Sequence, residues 1–303
     1  MRTDDFEGPL SLAESATRLG IPFTREISPR DGEIASDIPL HYLDWGEETR
    51  QPVILLHGRA QQAHTWDFVS LSLCDRYRVI AVDARGHGDS GWSQKADYGW
   101  EAHQRDIDAV IDQLGLVNPI LIGHSMGGRS SLVYASRSSA DLKALVIVDI
   151  GPETSPSGRR RIQNFVTQAD TLGSLEEFAE RIHSYTGRPY WSVYSSLQYS
   201  VKQLSDGHWT WKYDKVFRDP NFVPKNLAAD VMWEQLADIR CPTLVIKGSE
   251  SDTFSEETMD RMLDVIPNSV GAIVSKAGHL VSGDNPIEFL EVLNEFLDRV
   301  NQV

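Results

Sequence analysis

The chain has 303 residues, 41% hydrophobic and 24% charged, which suits one large globular domain or two small ones and excludes a disordered, collagenous or coiled-coil chain. Lys and Arg number 29 against 44 Asp and Glu, a net charge of −15 that repels phosphate backbones and anionic lipid, so no nucleic-acid partner is expected. No apolar run approaches the roughly 20 residues that cross a bilayer, and the opening MRTDDFEGPL is acidic without an apolar signal region, so no membrane insertion and a cytoplasmic location are expected.

Residues 1–35 are polar, carry Pro22, Pro29 and Gly32, and show no clear strand periodicity. The spacing of Leu10, Leu12, Ala16 and Leu19 predicts one short helix. This stretch reads as an N-terminal extension outside the core. The core is expected over 36–151 and 231–303, where short apolar runs alternate with helical patterns.

The first run, Val53–Leu56, leads into His57-Gly58-Arg59-Ala60. Val79–Val82 leads into Asp83-Ala84-Arg85-Gly86-His87-Gly88-Asp89-Ser90, where two glycines permit a tight turn and the charged groups can lock it, a structural role. Ile107, Val110, Ile111 and Leu114 mark a helix. Ile120–Ile122 leads into Gly123-His124-Ser125-Met126-Gly127-Gly128, and Leu145–Val148 into Asp149. Near-continuous apolar strands separated by helices predict an α/β fold with a mostly parallel sheet covered by helices on both faces.

Residues 152–230 break the alternation and read as short helices and loops. They hold three of the eight tryptophans and five of the nine tyrosines, so they must pack against something. We read them as a helical cap inserted over the carboxyl ends of the strands, where such sheets bind ligands. Trp191, Tyr194 and Trp209 are the candidate substrate contacts. Beyond the insertion, Leu244–Ile246 leads towards Asp252, and Ala272–Val274 towards Ala277-Gly278-His279-Leu280. Phe289, Leu290, Leu293, Phe296, Leu297 and Val300 give a closing helix that starts at Asn285-Pro286. Cys74 and Cys241 are too few for a disulfide scaffold and stand in no metal-ligand spacing.

The strongest chemical signal is G-x-S-x-G at Gly123–Gly127, between a strand and a helix. A sharp turn there lifts the Ser125 hydroxyl above the sheet, and small neighbours let the backbone close around it. A serine needs a base, and His279, in the loop after the last strand, faces the same sheet edge. The base needs an acid. Asp252 and Asp149 both end on that edge, and Asp252 is the favoured choice. The oxyanion hole is expected from the N–H groups of Met126 and Arg59. His57 is expected to brace its loop.

Together, His57-Gly58, Asp83–Ser90, Gly123–Gly127, Asp252 and Gly278-His279 resemble the α/β-hydrolase family from about residue 39 onwards. The resemblance implies a serine hydrolase of a carboxylic ester or lactone, similar to capped bacterial carboxylesterases and lactonases. It implies no metal and no organic cofactor. Ser125 stands where the family's epoxide hydrolases and haloalkane dehalogenases carry Asp, which disfavours both. Leu280 stands where its carbon–carbon bond hydrolases usually carry Trp. Some small esterases of the family use an acid placed like Asp149, so the choice between the two aspartates stays open. A vinylogous-diketone hydrolase, and a ligand receptor on the same fold, are the alternative readings. The partner is a small-molecule ester or lactone, and a homo-oligomer is left open.

Overall fold

The computed structural model describes residues 8–302. Its apolar runs become an eight-stranded sheet: β1 (Arg30–Ala35), β2 (Pro39–Trp45), β3 (Pro52–Leu56), β4 (Arg78–Val82), β5 (Ile120–His124), β6 (Ala144–Val148), β10 (Thr243–Gly248) and β11 (Ser269–Val274). The order is β1-β2-β4-β3-β5-β6-β10-β11. From β4 to β11 every pair is parallel, whereas β2 joins β4, and β1 joins β2, antiparallel. Every residue of β5, β6 and β10 is buried, as strands covered on both faces require.

Alternation along each strand divides the core in two. Val53, Leu55, Ile120, Ile122, Val146 and Val148 face α1 (Leu12–Leu19), α2 (Asp67–Leu73) and α11 (Pro286–Gln302). Ile54, Leu121, Leu145, Ile147 and Val245 face α3 (Trp100–Leu114), α4 (Met126–Ser138), α8 (Ala229–Leu236) and α9 (Glu256–Val265). Each such Val, Leu or Ile contributes about 1.5–3 kcal/mol of burial. Successive connections leave β3 in opposite directions, so the crevice of the sheet opens between the carboxyl ends of β3 and β5.

Two expectations are corrected. The N-terminal stretch is not outside the core. α1 forms where the leucine spacing predicts it, Ala16 and Ile21 are buried, and Arg30–Ala35 is a sheet strand. That strand leaves no mark in the sequence because it lies on the sheet edge and buries only Ile34. A strand covered at one residue carries no alternation to read.

The insertion between β6 and α8 is also not purely helical. It holds α5 (Pro156–Val166), α6 (Leu175–Thr186) and α7 (Tyr190–Leu197), plus a separate antiparallel sheet of β7 (Thr171–Leu172), β8 (Val201–Gln203) and β9 (Trp209–Trp211), in the order β7-β9-β8. Strands of two or three residues are too short to show a period. The insertion has its own small core, in which Phe178 meets Trp211 edge to face at 4.7 Å. Among the described residues, no helix is long and apolar enough to cross a membrane.

Candidate active site

Ser125 sits between β5 and α4 with φ 51° and ψ −112°, a left-handed conformation costly for a non-glycine residue. Its neighbours explain how the chain tolerates this. A Cβ at Gly123 would lie 2.5 Å from the Gly127 carbonyl oxygen, and one at Gly127 would lie 2.3 Å from that of Leu56. Only glycine permits these approaches, and they hold the turn shut. The Ser125 N–H donates to the Val148 carbonyl at 3.1 Å.

The Ser125 hydroxyl meets His279 Nε2 at 2.9 Å. The other ring nitrogen, Nδ1, meets Asp149 Oδ2 at 2.8 Å. Asp149 is wholly buried, and its carboxylate also accepts the Gly248 N–H at 2.9 Å and the Ser251 hydroxyl. Three donors thus fix one carboxylate in a place that excludes water. The His279 carbonyl accepts from His124 Nε2 at 2.7 Å. Burial holds His124 well below the ordinary imidazole range, so this ring is neutral.

Asp252 does not take the acid's place, which corrects the preferred assignment. The loop after β10 turns Ser251 inwards to Asp149, and the next side chain points out, where Asp252 pairs with Arg161 Nε at 3.2 Å. The loop after β10 therefore braces Asp149, which meets His279, and does not bring Asp252 to that ring.

The N–H groups of Arg59 and Met126 have no acceptor among the described residues, while the adjacent Gly127 N–H donates to the His57 carbonyl at 3.1 Å. His57 does brace its loop. Its Nδ1 donates to the Gly58 carbonyl at 2.7 Å, and its Nε2 accepts the Ala84 N–H at 2.9 Å. Burial keeps it below its ordinary pKa, so it is neutral. In the neighbouring turn, buried Arg85 grips Asp106 through Nε at 2.6 Å and through a terminal nitrogen at 2.7 Å.

Two cavities meet at Ser125. One, of about 250 Å³, is lined by His279, Leu280, Tyr185, Arg188, Val193 and Trp211, among others. The other, of about 460 Å³, is lined by Met126, Arg129, Ile150, Leu227 and Met232, among others. Trp191, Tyr194 and Trp209 line neither, which corrects their placement. On α7 the helical repeat turns Ser192, Val193, Ser195 and Ser196 to the cavity. Trp191 then packs under Arg18, and the Tyr194 hydroxyl donates to Glu176 at 3.1 Å. Trp209 packs on the insertion's own core, and Trp211 on the same strand reaches the cavity. Aromatic content marked the right region but not the right rings.

The profile described as "Alpha/beta hydrolase family" matches residues 53–292. The chain is similar to "Esterase Rv0045c" of Mycobacterium tuberculosis, 25% identical, covering 95% of this chain and 94% of that protein. It is similar to the "sn-1-specific diacylglycerol lipase ABHD11" of Mus musculus, 28% identical, covering 94% of each. A crystal structure of an alpha/beta hydrolase from Novosphingobium aromaticivorans shares the fold with TM-score 0.78 at 24% identity, covering 91% of this chain and all of that one.

Proposed function

The chain belongs to the alpha/beta hydrolase family, with esterases and lipases among its relatives, and on that premise we propose that it hydrolyses a carboxylic ester or lactone through an acyl-enzyme on Ser125. The observation that supports this most is the continuous chain from the Ser125 hydroxyl through His279 to Asp149, with two unused N–H donors beside it. In this reading Ser125 Oγ attacks the carbonyl carbon while His279 Nε2 takes its proton. Asp149 holds the ring tautomer and stabilises the imidazolium. The N–H groups of Met126 and Arg59 bind the oxyanion. His279 then gives the proton to the departing oxygen, and water, activated by the same imidazole, releases the acid. The insertion caps the serine and narrows what reaches it.

Intact mass after exposure to a small fluorophosphonate tests this reading. One adduct, absent in Ser125→Ala, is the expected result. Folded protein that takes no adduct and turns over no ester overturns the assignment and favours a receptor on the same fold.

A further inference from the structure

Arg188 lies in the segment between α6 and α7 and lines the cavity that holds Ser125 and His279. Its backbone is tied down. Gly187 before it has φ 71°, Pro189 follows, the Arg188 N–H donates to Thr186 Oγ1 at 3.2 Å, and its carbonyl accepts from His183 Nδ1 at 2.6 Å. Its side chain, by contrast, is barely used. One terminal nitrogen donates to the Ser192 hydroxyl at 3.2 Å, and the buried Nε has no partner. Among the described residues no carboxylate forms an ion pair with it. Asp284 is near enough for its charge to act on the guanidinium, but no hydrogen bond or ion pair joins the two, and that carboxylate accepts the Gly278 N–H at 2.9 Å.

Arginine stays protonated and carries five donors in a planar fork. A guanidinium with a buried free donor and no bonded anion is costly, and a carboxylate satisfies it through two parallel bonds. Arg59, the other cation of that cavity, also has a buried Nε without a partner, but both its terminal nitrogens already donate, to the Phe217 carbonyl at 2.6 Å and to Gln163 Oε1 at 3.3 Å. The position of the Arg188 fork is also informative. A Cβ built on Gly283 would lie 3.7 Å from Arg188 Cζ, so the fork sits over the residues just after His279. The departing oxygen must take its proton from His279 Nε2. The alcohol half of an ester therefore lies on the Arg188 side, and the acyl half falls towards the larger cavity under Ile150, Leu227 and Met232.

We infer that Arg188 is an anion-recognition residue, and that the preferred substrates are esters whose alcohol half carries a carboxylate, that is, O-acyl hydroxycarboxylic acids. This rests on the ester-hydrolase reading above.

The test compares 3-butyryloxybutanoate with its uncharged carboxamide in the wild-type protein and in Arg188→Gln. The carboxylate is expected to lead in kcat/KM by about 10- to 100-fold, and Arg188→Gln to erase that lead. Arg188→Lys, which keeps the charge but loses the fork, should keep part of it, and it decides the matter if the Gln variant does not fold. No lead in wild type, or a lead that survives in Arg188→Gln, overturns the inference. So does an equal lead for 4-nitrophenyl hydrogen glutarate over 4-nitrophenyl valerate, which would put the anion on the acyl half.

Fluorophosphonate labelling on the same samples separates the two readings. Labelled protein without a carboxylate lead removes only the Arg188 inference. Unlabelled, inactive protein removes the ester-hydrolase reading. Calorimetric binding of 3-hydroxybutanoate, lost in Arg188→Gln, then still upholds the anion site, and equal binding by both proteins removes it.

Discussion

At the sheet edge, Asp149 accepts from His279, from a backbone N–H and from a hydroxyl, and it is closed off from water. Across the cavity, Arg188 comes from the insertion and uses one of its donors on Ser192. The first region must hold one geometry through a reaction, so its lone pairs are filled by the fold. The second meets a changing ligand, so its donors are left open. Around this cavity the contrast is between a carboxylate whose acceptors are filled and a guanidinium whose donors are mostly open.

The largest test of this contrast is the removal of the nucleophile. Ser125→Ala should lower ester kcat by about a millionfold and leave circular dichroism unchanged. Retained turnover would mean the sheet edge is not the reactive region. Next comes the acid. Asp149→Asn should cost about 10⁴-fold in kcat by spoiling the His279 tautomer. Asp252→Asn, which breaks a half-exposed pair with Arg161, should stay within about fivefold of wild type. The reverse ranking would return the acid's role to Asp252.

A third test reads stability against pH. Burial holds His57, His87, His103 and His124 below the ordinary 6.5, with His103 down to about 3, and all four belong to the sheet-side region. The unfolded chain binds these protons near pH 6.5 and the folded chain does not. Stability should therefore fall as pH drops from 6.5 towards 3. His41 acts in the opposite sense. Burial lowers its pKa, but bonds to Asp83 and Asp31 outweigh that and raise it to about 9. Its contribution is complete below 6.5 and is lost as pH rises through about 9. Thermal unfolding of His103→Gln and His41→Gln should flatten the acid and alkaline limbs respectively. Limbs identical to wild type would show that other groups set them.

The smallest effect is expected at Trp191. Because it packs under Arg18 and not in the cavity, Trp191→Ala should change KM for a bulky ester by no more than about twofold. A larger change confined to KM would place the cavity wall elsewhere.

The apolar runs at Val53–Leu56, Ile120–Ile122 and Leu145–Val148 were legible because a strand buried on both faces has to be apolar at every position. The meeting of Ser125 with His279 was legible for a related reason: a residue on a closed turn needs glycines around it, and a loop that leaves the last strand ends on the same edge. Local chemistry is written in local sequence. The strand at Arg30–Ala35 was not legible, because an edge needs only one buried residue. The choice between Asp149 and Asp252 depends on which way a loop turns two adjacent side chains. The roles of Arg188 and Trp211 depend on how a separately packed insertion lies over the sheet. Those outcomes are set by packing between segments far apart in the chain, and only the folded structure brings those segments together.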